Sequence, residues 1–163
     1  MKRSEQPVFH YTDSVALAGM MRTGSIVASD RVLTPGCPPV VWLSAAREWE
    51  LISMASTTLG IDHELSRLGP DQAGRAVRIE IDRTSVVGWV ELLAAHGAST
   101  VDIFAAEQAG LSWLSNPDDW FVVQGDVPVT GWLGVEIWNG NTWKRAWKHR
   151  QREMRTRAPS HVP

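Results

Sequence analysis

The chain has few of the features that mark cross-linked or membrane-inserted proteins. Its 163 residues include a single cysteine, Cys37, which excludes an intramolecular disulfide framework and a zinc site made of several cysteines. No apolar run approaches the roughly 20 residues that a membrane-spanning helix needs. The first residues contain no apolar stretch of the kind found in signal peptides. These absences favour a cytoplasmic protein.

Several common catalytic motifs are also missing. The sequence contains no GxGxxG, P-loop, HExxH or GxSxG pattern, so we expect no Rossmann oxidoreductase, P-loop nucleotide hydrolase, zincin protease or standard α/β hydrolase. His63 and His96 have no partners at metal-ligand spacing, and we expect them at the surface or at helix ends. Cys37 lies in Pro-Gly-Cys-Pro-Pro and is predicted to be a loop thiol without a catalytic role.

Tryptophan and uneven charge are the prominent features that the sequence does have. It contains nine Trp but one Tyr and three Phe. The formal net charge of −2 conceals a division, because residues 144–157 hold seven of the sixteen Lys and Arg residues and a single acid. The remainder of the chain before them carries nine basic and seventeen acidic residues, a net charge of −8. The basic segment is typical of a solvated strand or helix end, and the alternative is contact with nucleic acid.

The order of apolar and polar residues predicts an α+β fold, in which strands and helices cluster instead of alternating. We expect one domain over residues 1–157, which includes the basic segment, and a flexible tail over 158–163. Asp13 or Ser14 can cap the first helix and Gly24 can end it. Predicted strands cover 8–11, 40–43, 77–82, 120–123, 131–138 and 143–147, with Asn139-Gly140 as a hairpin turn. Predicted helices cover 14–24, 44–60, 62–68, 89–95 and 101–109, and a loop covers 25–39.

Three segments, taken in order, carry a resemblance to a known family. They are Phe9-His10-Tyr11-Thr12 with the helix that ends at Gly24, then Val40-Val41-Trp42-Leu43-Ser44, and finally Asp118-Asp119-Trp120-Phe121-Val122-Val123 with Val127-Pro128 and Trp132-Leu133-Gly134-Val135. These segments resemble ADP-ribosyltransferases of the diphtheria-toxin and poly(ADP-ribose) polymerase clade, and DarT-type toxins in particular. The resemblance spans most of residues 8–138 and implies a split, mostly antiparallel sheet with flanking helices.

The resemblance also implies a chemistry, with NAD as the substrate and no metal. Breaking the bond between nicotinamide and ribose passes through an oxocarbenium-like state, which requires a fixed ribose and a nearby negative charge. By this resemblance His10 would hydrogen-bond a ribose hydroxyl and Trp42 would stack on nicotinamide. Asp119 would stabilise the cation, orient a ribose hydroxyl or deprotonate the acceptor. The other residues expected to contact NAD are Tyr11, Thr12 on the adenosine side, and Ser44.

Two positions depart from the family pattern, since Trp42 stands where Tyr is usual and Asp119 where Glu is usual. Either change can alter the acceptor or abolish activity. Each residue also has a structural interpretation: a hydrogen-bonded strand histidine for His10, a core aromatic for Trp42, a helix cap for Ser44 and turn chemistry for Asp119. The other acidic or polar candidates for the role of Asp119 are Asp118, Gln124, Asp126 and Glu136, while Glu107 is expected to be solvated.

The sequence therefore predicts a glycosyltransferase that transfers ADP-ribose from NAD to a macromolecule, as a cytoplasmic bacterial or phage toxin or effector. The acceptor is nucleic acid or protein, and an antitoxin or host protein is a further expected partner; no membrane is expected. The alternative is a non-catalytic module of the same fold that inhibits or holds a protein partner. NAD hydrolysis and phosphate transfer on RNA are a third hypothesis. The enzyme hypothesis gains support if the side chains of Asp119 and His10 line one cleft with Trp42, and it fails if Asp119 faces solvent far from His10.

Overall fold

The computed structural model describes residues 6–29, 36–47, 76–112 and 115–148. The strands in these ranges are β1 (Val8–Asp13), β2 (Ser25–Ile26), β3 (Val40–Ser44), β4 (Ala76–Ile81), β5 (Val87–Gly88), β6 (Trp120–Gln124), β7 (Val127–Pro128), β8 (Trp132–Trp138) and β9 (Trp143–Lys148). The helices are α1 (Ser14–Thr23), α2 (Trp89–Ala95) and α3 (Thr100–Ser112). None of these helices has the length and hydropathy needed to cross a bilayer.

Seven of the strands form one sheet in the order β5-β6-β3-β1-β4-β8-β9, and all its pairings are antiparallel. Strands β2 and β7 form a separate two-stranded ladder. The predicted α+β class with a mostly antiparallel sheet is therefore confirmed. β1 pairs with β4 along its whole length but with β3 only where Phe9 lies opposite Ser44, so the ladder between β1 and β3 is short.

The ends of α1 follow from two residues. Asp13 is the N-cap, and its Oδ1 accepts hydrogen bonds from the backbone N–H groups of Val15 at 2.7 Å and Ala16 at 2.8 Å. Gly24 ends the helix with a φ of 79°, a left-handed conformation that glycine adopts without steric cost, and its N–H bonds to the carbonyl of Met20. Both ends lie where the sequence predicts them. α1 is thereby fixed directly against the end of β1.

Alternation along the strands divides the side chains between two faces of the sheet. The α1 face is covered by α1 and by the β2–β7 ladder, and its buried side chains include Val8, Val41, Leu43, Val77, Ile79, Ile81, Val123, Trp132 and Val135. On the opposite face, which we call the α2–α3 face, α2 and α3 pack over β3, β5 and β6, with Val40, Trp89, Leu93, Ala106, Trp120 and Val122 buried. A smaller aromatic cluster with Phe9 and Tyr11 continues that face over β1 and β4.

Most of the predicted elements occupy their predicted positions, with a few differences. The strand predicted over 77–82 corresponds to β4, and the helix predicted over 89–95 is α2. β8 and β9 form the hairpin predicted at Asn139-Gly140. β2 lies inside the segment predicted as a loop, and α3 is longer than expected. Residues 45–47 are not helical. The rest of the helix predicted over 44–60 lies outside the described residues. The same is true of the helix predicted over 62–68, of His63 and of residues 149–163.

Candidate functional site

His10 lies on β1 beside the short ladder with β3, and only 7% of it is exposed. Its Nδ1 is 3.1 Å from the main-chain oxygen of Trp42. A carbonyl oxygen only accepts, so Nδ1 carries the proton and Nε2 holds the lone pair. Nε2 is buried and has no hydrogen-bond partner among the described residues. Burial lowers the pKa of the imidazole, against the smaller opposing effect of the hydrogen bond to Trp42, so the neutral form is favoured.

Thr12 lies two residues beyond His10 on β1 and therefore on the same face of the sheet. Its side chain is completely buried, and in the described ranges its Oγ1 likewise has no hydrogen-bond partner. Leaving a buried polar group unsatisfied costs about 1–3 kcal/mol. A lone-pair nitrogen and a hydroxyl on one strand face are thus two buried polar atoms that lack a partner among the described residues, within an otherwise apolar core.

Tyr11 and Ser44 are directed to the other face and have protein partners. The Tyr11 ring contacts Phe9 and Trp143, with centroid distances of 6.2 and 5.8 Å, and its hydroxyl donates to the carbonyl of Ala46. Oγ of Ser44 accepts a hydrogen bond from the N–H of Ala46 at 3.0 Å. The Tyr11 hydroxyl thus ties the chain that follows β3 to β1, while the Ser44 hydroxyl fixes the turn after β3 locally.

The indole of Trp42 is half-buried in a cluster of aromatic rings on the α2–α3 face. Its centroid lies 6.3 Å from that of Trp89 and 6.1 Å from that of Trp120. Trp120 is itself anchored, because its Nε1 donates to Oγ of Ser115 at 2.8 Å. The structure therefore brings the imidazole of His10 to the backbone of Trp42 and not to its ring. The two side chains lie on opposite faces of the sheet.

Asp119 ends the 3-10 turn that precedes β6. Its carboxylate is half-buried and accepts a hydrogen bond from Nδ2 of Asn116 at 3.1 Å, and its carbonyl accepts from the N–H of Ala45 at 2.8 Å. Asp118 is exposed. His10, Trp42 and Asp119 thus lie on or next to β1, β3 and β6, which are neighbours in the sheet.

The weaker candidates have other surroundings. Gln124 is exposed, and the carboxylate of Asp126 accepts from the N–H of Ala28 at 2.8 Å beside the β2–β7 ladder. Glu107 is half-buried on α3. The remaining positions are a buried free thiol at Cys37, an exposed His96 at the end of α2, and an ion-paired Glu136. In the described ranges, no three potential metal-ligating side chains lie together.

The sequence patterns do not predict an ion-pair network that lies on the α2–α3 face of the sheet. Arg78 pairs with Glu136 at 2.6 Å, and its guanidinium lies 4.3 Å from the ring centroid of Phe9. Arg145 pairs with both Glu136 and Glu80, at 3.1 and 2.9 Å. Alternation along β4 indicates that Arg78 and Glu80 share a face, but their partners are 58 and 65 residues away in the chain. Only the strand order brings them together.

Comparisons of this chain with models of protein families, with curated proteins and with solved structures found no match.

Proposed function

We propose that the chain transfers ADP-ribose from NAD to a macromolecular acceptor, nucleic acid or protein, as a bacterial or phage effector or toxin. The observation that supports this most is a pair of buried polar atoms on β1, Nε2 of His10 and Oγ1 of Thr12, for which the described part of the chain offers no hydrogen-bond partner. They lie where β1 and β3 share little of their ladder, and the half-buried Asp119 lies on the other side of β3, in the 3-10 turn before β6.

Each of the three groups has a distinct task in the proposed reaction. The neutral imidazole of His10 accepts a hydrogen bond from a ribose hydroxyl through Nε2, and Thr12 donates or accepts a second one. The acceptor attacks C1′ of the nicotinamide ribose, the bond from C1′ to nitrogen breaks, and nicotinamide leaves with the bonding electrons. Asp119 provides negative charge for the oxocarbenium-like state and takes the proton of the attacking group.

Trp42 has a positioning role in this proposal, which differs from the stacking role that the resemblance implies. Its carbonyl accepts from Nδ1 of His10 and so determines which nitrogen presents a lone pair. Its ring packs against Trp89 of α2 and Trp120 of β6. In this proposal the ring packs on the face of the sheet opposite to His10 and does not contact nicotinamide.

The test is nicotinamide release and label transfer from labelled NAD, measured with purified protein and with cell lysate as the source of acceptor. We expect Asp119→Asn to lower the rate by about 100-fold or more, the range for loss of an acid–base or charge-stabilising group. His10→Gln should lower it by about 10-fold, the effect of losing a hydrogen bond to the ribose. His96→Gln and Asp118→Asn are matched controls at exposed positions and should leave the rate unchanged. No release and no transfer by the wild-type chain, or equal rates in all variants, would refute the proposal.

One observation favours the alternative of a non-catalytic binding module. α3 exposes Val101, Phe104 and Leu111 by 75%, 58% and 52%, a row of apolar side chains at helical spacing along the helix surface. A photoreactive residue at Gln108 would cross-link a protein partner in cells if this surface holds one. Phe104→Ser should then abolish the cross-link, whereas Val15→Ser, at an exposed apolar position on α1, should not. Absence of any cross-linked protein would contradict this second function.

A further inference from the structure

Arg83 is a partly buried cation held in one orientation. It follows β4 in a 3-10 turn, and the central carbon of its guanidinium lies 4.7 Å from the ring centroid of Phe121 on β6. Its Nε donates to the carbonyl of Gln6. Its Nη2 is buried, and within the described part of the chain that nitrogen has no hydrogen-bond partner. One edge of the guanidinium is thus anchored, while a donor on the other edge is unused.

No carboxylate of the described residues forms an ion pair with Arg83, in contrast to Arg78 and Arg145. The adjacent Asp82 is engaged elsewhere, because its Oδ1 accepts from the N–H and the hydroxyl of Thr84. Desolvation lowers the pKa of the Arg83 guanidinium, yet an arginine stays protonated at neutral pH. Within the described ranges this partly buried cation has no counter-charge, and an anionic ligand would supply one.

The guanidinium lies on the same face of the sheet as His10. Phe121 is opposite Leu43 in the ladder between β6 and β3, and both belong to the core of the α1 face. His10 is two residues from Val8 on β1, so its side chain lies on the same face as Val8, which belongs to the same core. Two strand spacings, about 10 Å, separate Phe121 from His10 across β3. A ribose with its adjoining phosphate groups is long enough to cover this separation.

We infer that Arg83 is a phosphate subsite, which binds the pyrophosphate of a nucleotide whose ribose is hydrogen-bonded by His10. The identity of the ribose ligand rests on the proposed function, but the subsite concerns binding and not cleavage. Stacking on Phe121 fixes the guanidinium plane, as bidentate recognition of a phosphate requires. Nη2 has already lost its hydration in the folded chain. A phosphate oxygen that reaches it therefore gains a charge-assisted hydrogen bond without further desolvation of the donor.

The test is titration calorimetry with ADP-ribose, inorganic pyrophosphate and adenosine, on the wild-type chain and three variants. Arg83→Gln should weaken ADP-ribose binding by about 10- to 100-fold, the loss expected for a charged hydrogen bond. Arg83→Lys keeps the charge but loses the planar fork, and should give an intermediate loss. Arg22→Gln, at an exposed position on α1, should change nothing. Adenosine, which lacks phosphate, should bind all four proteins equally.

The outcomes separate this inference from the proposed activity. Equal affinity of the wild type and Arg83→Gln for ADP-ribose overturns the subsite, whatever the NAD assay shows. Weakened ADP-ribose binding in Arg83→Gln, together with no nicotinamide release by the wild type, supports the subsite and refutes the transferase. A wild-type chain that binds neither ADP-ribose nor pyrophosphate overturns the subsite. Should Arg83→Gln unfold, the comparison of Arg83→Lys with the wild type decides the question, because it retains the cation.

Discussion

His10 illustrates how burial and one hydrogen bond set the state of a single residue. Its Nδ1 donates to the carbonyl of Trp42, and the imidazole is removed from water. Protonation would place a charge in an apolar core that includes Val8 and Ile79, the residues next to it on its own face. The lowered pKa expresses this cost. The same lone pair on Nε2 that suits ribose recognition therefore makes the fold sensitive to acid.

The first prediction concerns stability against pH. The ordinary pKa of 6.5 applies to the unfolded chain, whereas the folded pKa is lower. Above pH 6.5 His10 is neutral in both states, so its contribution to the free energy of unfolding does not vary. As the pH falls from 6.5 through the folded pKa, the unfolded chain binds the proton more readily and stability is lost. Urea unfolding followed by tryptophan fluorescence should show this loss in the wild type.

The matched variants isolate the contribution of His10. His10→Gln should lose less stability than the wild type between neutral pH and acid, and His96→Gln should behave like the wild type because His96 is exposed. A wild-type chain and a His10→Gln variant with the same pH dependence of the unfolding free energy would show that His10 does not titrate differently on folding.

The second prediction separates a packing role for the Trp42 ring from a stacking role. Trp42→Ala should lower the free energy of unfolding by about 3 kcal/mol, because it removes the ring that contacts Trp89 and Trp120. Trp42→Phe keeps an aromatic ring in the cluster and should leave KM for NAD within about twofold. A Trp42→Phe variant of wild-type stability whose KM rises tenfold would instead indicate that the indole contacts the ligand.

At the scale of elements, β1 and α1 share a residue, since Asp13 both ends the strand and caps the helix. The third prediction is that Asp13→Ala lowers the free energy of unfolding by about 1 kcal/mol, the usual effect of losing an N-cap side chain. Ser14→Ala is the control and should change stability by less than half of that, because the N-cap hydrogen bonds of α1 are accepted by Asp13 and not by Ser14. Equal losses in thermal or urea unfolding would contradict the assignment of Asp13 as the cap.

Local sequence signals identify elements whose pattern is complete within a few residues. The alternation in β4, the capped ends of α1 and the turn at Asn139 are all of this kind. The two-residue strands β2 and β7 have too few residues for any periodicity, and they form because Ser25 and Ile26 meet Pro128 and Val127 far along the chain. The order of the seven strands is likewise a property of pairing between distant segments.

The candidate site can be predicted only in part, because it also depends on pairing between distant segments of the chain. Short segments point to His10 on β1 and to Asp119 just before β6, and β3 lies between these two strands in the sheet. Whether His10 and Trp42 share a face depends on the register between β1 and β3, and a shift by one residue reverses the answer. The observed pair, Phe9 opposite Ser44, places them on opposite faces. Arg83 belongs to no sequence motif, and only the order of the strands in the sheet places it beside Phe121.

At the scale of the whole molecule, the sheet brings part of the basic segment next to acidic residues from earlier in the chain. Arg145 belongs to the basic segment, yet it bonds to Glu80 on β4 and Glu136 on β8. Gly134 gives it room, because a Cβ atom there would lie 1.9 Å from Nη1 of Arg145. β9, which carries the start of the basic segment, therefore closes one edge of the sheet, and the charge of Arg145 is balanced by two carboxylates on the neighbouring strands.

The fourth prediction tests this network. Glu136→Gln should lower the free energy of unfolding by about 2 kcal/mol, because it leaves the guanidinium of Arg78 without its counter-charge at a position where the two side chains are 11% and 14% exposed. Glu91→Gln, an exposed position on α2, should have little effect. If the two variants unfold at the same urea concentration, the network does not stabilise the chain.

Binding of NAD at His10 is tested most directly by the nitrogen resonances of the histidines. The chain is labelled with ¹⁵N-histidine, the signals of His10 are assigned by their loss in His10→Gln, and NAD is added stepwise. The Nε2 resonance of His10 should shift and reach a plateau as NAD saturates the chain, while the resonances of His96 stay unchanged. If NAD at millimolar concentration moves neither nitrogen of His10, the proposed site does not bind NAD, and the transferase assignment fails with it.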